Sequence, residues 1–296
     1  MNSSNLTNIN RDTRIFGILG FPLSHSLSPT IHNTWFSEYR VNAVYLVFEK
    51  EFPEKTAFFR EKAFLKISGL SVTIPHKEWA FEISEECDET SKTIQASNTL
   101  VPNEEGVIHS YNTDSIGALS ALQKGRKNVL ESKKDVLILG SGGSARGISY
   151  ALLKNGYAGN IIISSRNEEK AREIIGHLNQ IRPASADYIQ FGQLENEKKR
   201  FSLIINTTPV GMKGRTDAQL LDSGFYLKTH TVFDIVYNPI RTQMVLNAEK
   251  AGAKTVSGLD MLIFQASEQF RLFTGITVQQ KSINLIRKVL ESKLKD

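Results

Sequence analysis

The sequence predicts an α/β protein of two domains, and three observations carry that expectation. Short apolar runs alternate with helical patterns through most of the chain, as strands joined by crossovers do. The length of 296 residues suits two domains of ordinary size. A glycine-rich turn behind the apolar run VLILG (136–140) opens a second block of the same alternation.

In the first block, residues 14–20 (RIFGILG) read as a buried strand. A helix is expected over 28–39, with Ser28 as its N-cap and Pro29 at the first helical position. Residues 43–48 form a second strand, 54–64 a helix and 66–74 (KISGLSVTI) a third strand, after which Lys77 opens another helix. A β-hairpin is expected over 96–112, turning at 103–106, then a helix reaching Gln123.

In the second block, 136–140 is a strand of the parallel kind and 143–154 its helix, ending at Asn155-Gly156. Strands follow over 161–164, 203–206 and 232–236, with helices over 168–182 and 243–251. Two helices, 259–273 and 278–293, close the chain. The last carries Ile283, Ile286 and Leu290 on one face.

Composition excludes several classes. Hydrophobic residues at 40% and charged residues at 23% describe a globular chain. One cysteine, Cys87, precludes an internal disulfide and a cysteine metal cluster, and fits a reducing, cytoplasmic setting. The six histidines show no metal-ligand spacing, so no metal is expected. No apolar run approaches the roughly 20 residues of a membrane helix, and the polar first dozen residues lack a signal core. The net charge of +5 is spread without a basic block, which suits an anionic small molecule and not a nucleic acid.

Gly140, Gly142 and Ala145 fit G-x-G-x-x-A between a strand and a helix. Glycines there let the backbone approach a pyrophosphate, and the helix N-terminus offers N–H groups to it. The next strand ends in Ser164-Ser165-Arg166, with Lys170 one turn on and no acid to take a ribose 2′-hydroxyl. Cations there accommodate a 2′-phosphate, so the residues point to NADP over NAD.

Three polar clusters stand in the first block. Ser24-His-Ser26-Leu-Ser28-Pro29 gathers hydroxyls at a helix start, which serves capping or a carboxylate site equally well. Ser71-Val-Thr73-Ile-Pro75-His-Lys77 ends a strand, with Ser71 and Thr73 on one face and Lys77 where an ammonium opposes the helix dipole. Asp114 is either a helix cap or a carboxylate that holds and tunes Lys77.

Together these motifs resemble the shikimate dehydrogenase family across residues 17–265. The resemblance rests on Gly20-Phe-Pro22 through Ser28-Pro29, the V-T-x-P-x-K segment, Ser97-Asn-Thr-Leu100, Asn112-Thr-Asp-Ser-Ile-Gly117 and the glycine turn. Asn206-Thr-Thr-Pro-Val-Gly-Met212, Asp234-Ile-Val-Tyr-Asn-Pro239 and Gly258-Leu-Asp-Met261 with Gln265 complete it in the family's order. It implies a substrate domain (1–113 with 258–296) and a Rossmann-type NADP-binding domain (114–257), with the last helices returning to the first domain. It implies reversible NADPH-dependent reduction of 3-dehydroshikimate to shikimate, a step towards aromatic amino acids, by a monomer or homodimer.

By the same resemblance Lys77 and Asp114 are the catalytic pair. Ser26 and Ser28 hold the substrate carboxylate, while Ser71, Thr73, Asn98, Tyr237 and Gln265 surround the ring. Gly140, Ser141, Gly142, Gly143, Ser144 and Ala145 take NADP with Ser165, Arg166, Asn167, Lys170, Thr207 and Met212. Gly258 and Met261 lie by the nicotinamide. Two departures stand out: Ser71 replaces a frequent asparagine, as in plant-type relatives, and the Asn-Arg-Thr cofactor segment reads Ser165-Arg166-Asn167.

The alternatives are a quinate or dual quinate/shikimate dehydrogenase and a non-catalytic nucleotide sensor on the same fold. A short-chain dehydrogenase is excluded, because its Y-x-x-x-K match at Tyr150 and Lys154 falls on the helix of the glycine turn. The substrate motifs also argue against a methylenetetrahydrofolate dehydrogenase, which shares the two-domain plan.

Overall fold

The computed structural model describes residues 9–51, 67–214 and 219–294; the expected helix over 54–64 lies outside them. The chain divides into two compact units, Met1–Thr113 with Ala266–Leu290, and Asp114–Gln265 with Glu291–Asp296.

The first unit contains β1 (Arg14–Gly20), α1 (Ser28–Glu38), β2 (Ala43–Glu49), β3 (Ile67–Val72) and α2 (Lys77–Glu82). Next come β4 (Glu86–Cys87), α3 (Glu89–Ile94), β5 (Thr99–Pro102) and β6 (Ile108–Tyr111). Its sheet has the order β2-β1-β3-β5-β6-β4. β1 pairs parallel with β2 and β3, whereas β5 runs antiparallel to β3 and β6. The β5–β6 hairpin arises locally. Asn103 Oδ1 accepts from the N–H groups of Glu105 and Val107, and Gly106 takes the positive φ of 83° that closes the turn. Leu19, Leu70, Val72, Trp79, Leu100 and Ile108 pack as one cluster on this sheet.

Helix α4 (Thr113–Gly125) begins at the last residue of that segment. The second unit continues with β7 (Asp135–Leu139), α5 (Gly143–Lys154), β8 (Ile161–Ser164), α6 (Glu168–Ile181), β9 (Ala186–Tyr188) and α7 (Leu194–Glu197). It then contains β10 (Phe201–Asn206), β11 (Thr231–Asp234), α8 (Gln243–Lys250) and β12 (Lys254–Ser257), before α9 (Gly258–Thr274) and α10 (Gln280–Lys293). The sheet order β12-β11-β10-β7-β8-β9 is parallel throughout. Numbered from β7, it is the 3-2-1-4-5-6 order of dinucleotide-binding sheets. β7, β8, β10 and β11 are buried at every residue, as strands covered on both faces must be.

The expected strands and helices among the described residues are present with shifted ends. β3 stops at Val72, two residues short of the expected Ile74, although Thr73 N–H still bonds Leu19 O at 2.9 Å. Three short strands escape the sequence: β4, β9 and β12. Each has two to four residues and shows little alternation to read. Helix α3 also escapes; it starts where Asp88 accepts from Ser91 N–H.

Candidate active site

The glycine turn sits where the strand order of the second sheet reverses, between β7 and β10. Gly140 has φ +114°, and a Cβ there would stand 2.6 Å from Thr207 Oγ1. Thr207 in turn donates from its N–H and Oγ1 to Leu139 O, at 2.9 and 2.7 Å, which clamps the loop after β10 onto the turn. Gly142 differs. Its φ of −90° suits any residue, and no protein atom lies within 4 Å of a Cβ built on it. It caps α5 without a side-chain hydrogen bond, so this helix start presents backbone to open space. Gly143 and Ser144 follow as the first helical residues, and Ala145 is fully buried.

Beside it, Ser141 and Ser165 share a hydrogen bond of 2.7 Å. Asn167 caps α6 by accepting from Lys170 N–H. Arg166 and Lys170 are exposed, and no carboxylate follows β8 before Glu168. Asn206 shapes the loop carrying Thr207 and Met212. Its Oδ1 accepts from Thr208, and its Nδ2 donates to Val210 O and to Asp234 Oδ1. Burial pushes the Asp234 carboxyl up to about 6, against the hydrogen bonds from Thr242, Val236 N–H and Asn206. Met212 is exposed at the end of this loop.

In the same unit Asp114 is buried in the first turn of α4, where the helix dipole favours an anion. It is not a cap, because α4 already begins at Thr113. Gln265 and Met261 lie on α9 against Gly117. A Cβ at Gly117 would come within 2.8 Å of Met261 O and of Gln265 Cβ, so the motif glycine is required by the α4–α9 approach. Gly258 has the same kind of role: a Cβ there would meet Ile235 O at 2.4 Å. Burial raises the pKa of the half-buried Tyr237.

In the first unit, the reading of Ser28 as N-cap is corrected. Leu27 is the cap and Ser28 the first helical residue; Ser26 Oγ accepts from Ser28 N–H at 3.4 Å. The helix start has no side-chain cap, so the buried Ser28 hydroxyl is not engaged in capping. Lys77 opens α2, and its carbonyl accepts from Ser97 N–H at 2.9 Å, joining it to the Ser97–Thr99 segment. Thr73 lies beyond β3 against Gly20, where a Cβ would stand 2.4 Å from Thr73 Cγ2. Asn98 is buried. Its Oδ1 accepts from Thr113 N–H at 2.8 Å and from Thr99 Oγ1 at 2.9 Å, which anchors the start of α4 one residue before Asp114.

Sequence reasoning missed three residues here. The Tyr45 hydroxyl donates to Ser71 Oγ at 2.6 Å, and Ser71 Oγ donates to Gln269 Oε1 at 2.8 Å. Gln269 Nε2 donates onward to Asn98 O and Thr99 Oγ1. His32 stacks on Tyr45 with centroids 4.3 Å apart and planes 6° from parallel. Both its ring nitrogens are buried, and burial pushes its pKa down to about 3 against the pull of the neighbouring Gln269 side chain. Gln269 stands four residues after Gln265 on α9, a spacing that places both on one face and could have found it. Tyr45 in AVYLVFE read only as strand core.

The fold and the turn thus define a dinucleotide-dependent enzyme of the dehydrogenase class, with a separate α/β unit bearing a cluster of polar residues. A sequence model described as the shikimate dehydrogenase substrate binding domain matches residues 18–100, and one described as the shikimate 5′-dehydrogenase C-terminal domain matches 258–290. The chain is 44% identical over 292 residues to shikimate dehydrogenase (NADP(+)) of Leptospira interrogans, covering 98% of this chain and 99% of that one. A solved shikimate dehydrogenase in complex with NADP+ superposes with TM-score 0.87 at 32% identity, covering 97% of each chain. Quinate dehydrogenase of Corynebacterium glutamicum, solved with NAD, shares the fold with TM-score 0.85 at 24% identity, over 95% of this chain and 99% of that one. The chain belongs to the shikimate dehydrogenase family.

Proposed function

We propose that the protein interconverts 3-dehydroshikimate and shikimate with NADP in the cytoplasm. The observation that carries this reading is the 44% identity over nearly the full length to an NADP-dependent shikimate dehydrogenase. The residues present fit the cofactor. Gly142 leaves a cradle that a methyl group would intrude on, α5 offers an uncapped N-terminus, and Arg166 and Lys170 stand after β8 in place of an acid.

When bound, NADPH supplies the hydride for the ring ketone. Lys77, as ammonium, hydrogen-bonds the ketone oxygen, stabilises its growing charge and delivers the proton. Asp114, as carboxylate, accepts a hydrogen bond from a ring hydroxyl. Ser26 and Ser28 hold the substrate carboxylate; Ser71, Thr73, Asn98, Tyr237 and Gln265 take the ring hydroxyls. Each ring hydroxyl needs such a partner, since a stranded buried polar group costs about 1–3 kcal/mol.

Nicotinamide absorbance with shikimate or quinate against NADP or NAD, in all four combinations, tests the reading. Shikimate with NADP is expected to give the highest kcat/KM. A higher value for quinate would assign the protein to the other branch of the family, a choice on which Ser71 and the pair Ser26 and Ser28 bear. Nucleotide binding without turnover of either acid would make it a sensor.

A further inference from the structure

We infer that Tyr45 is a positioning residue for substrate recognition, acting through Ser71; this rests on the proposed role of Ser71 beside the substrate. The geometry assigns every proton in the chain of bonds. Asn98 O is a backbone acceptor, so the Gln269 atom facing it at 3.1 Å is the Nε2 donor, and Oε1 faces Ser71. An amide oxygen only accepts, so Ser71 spends its single hydrogen on Gln269. The Tyr45 hydroxyl, 2.6 Å from Ser71 Oγ, is then obliged to donate. Ser71 thereby faces its surroundings as an acceptor alone, and the substrate group it recognises is a donor: a ring hydroxyl, not the carboxylate.

The setting of Tyr45 serves this role. The residue is 2% exposed, and burial raises its pKa far enough to keep the phenol protonated, so the donor persists at any physiological pH. His32 fixes the ring plane by stacking and stays neutral, so it brings no competing charge. The other titratable ring packed on His32 is Tyr45 itself; Trp35, Phe36, Phe270 and Phe273 complete its aromatic surroundings.

Tyr45→Phe keeps the stack and deletes the donor. The expected result is a KM for shikimate raised about three- to ten-fold, the worth of one hydrogen bond, with kcat and the KM for NADP held. In a double-mutant cycle, adding Tyr45→Phe to Ser71→Ala is expected to raise KM no further. An unchanged KM for Tyr45→Phe, additive effects in the cycle, or a parallel loss of kcat and Tm overturns the inference. If Ser71→Ala itself leaves KM unchanged, the failure lies with the assignment of Ser71 to the substrate, and the inference falls with it.

Discussion

The two units hold their proposed site residues by different physics. In the second unit the backbone does it: a left-handed glycine at 140, an uncapped helix start at Gly142, and a loop clamped by Thr207 to Leu139 O. In the first unit side chains do it, through a chain of hydrogen bonds from Tyr45 by way of Ser71 and Gln269 to the Asn98–Thr99 segment. A backbone site tolerates variation in what surrounds it but not an added Cβ at the turn. A side-chain site depends on partners that lie far apart in sequence.

The largest expected effect is chemical and bears on the first unit. Lys77→Ala should lower kcat by about 10²–10⁴-fold with little change in KM for either ligand; an unaltered kcat in the steady-state assay would remove the lysine from the reaction. Next comes the backbone. Gly140→Ala adds a Cβ 2.6 Å from Thr207 Oγ1 at φ +114°. It should cost about 1–3 kcal/mol, read as a lower Tm, together with a raised KM for NADP. Retention of both would show that the loop gives way.

Acid should separate the halves. His32, lowered to about 3 from 6.5, binds fewer protons folded than unfolded, so its contribution is present above 6.5 and is lost as pH falls. Asp234, raised to about 6 from 3.8, has the opposite sign: its contribution is present below 3.8 and is lost as pH rises through 6. Amide hydrogen exchange between pH 7 and 5 should show acid-labile protection around α1 and β2 that His32→Phe removes. Around β11, protection should gain on acidification, and Asp234→Asn should flatten that gain. Equal slopes in wild type and variants would refute the assignment. The smallest stability effect belongs to Gly142→Ala, within about 0.5 kcal/mol because nothing in the protein meets its Cβ. The KM for NADP should nonetheless rise severalfold; an unchanged KM would place the cofactor elsewhere.

The contrast also explains what could be read in the sequence. Glycine motifs are legible where a backbone demand restricts the residue type at that very position, as at Gly140; Gly117 and Gly258 stand out only through the family resemblance, since the contacts that require them come from distant stretches. The strand–helix alternation of the second unit was legible because its fully buried strands form uninterrupted apolar runs. Tyr45 and His32 were not, since each alone fits a core position and only the fold brings them to Ser71, with β1 paired to both β2 and β3; Gln269 had its spacing from Gln265 as its one signal. The cap was misplaced for a related reason: Ser28 is a residue type that caps, and only backbone geometry shows that the helix starts one residue earlier, at Leu27, with no side-chain cap bond.

The direction of the bond from Ser71 to Gln269 has a consequence for inhibitors. On the proposed contact of Ser71 with the ring, a fluorinated or ether-bearing mimic would present lone pairs to an oxygen that already has no hydrogen left to give. Two analogues of the same shape would then bind differently on account of a single missing proton. Competitive inhibition by matched hydroxyl and fluoro compounds would measure how much that proton is worth.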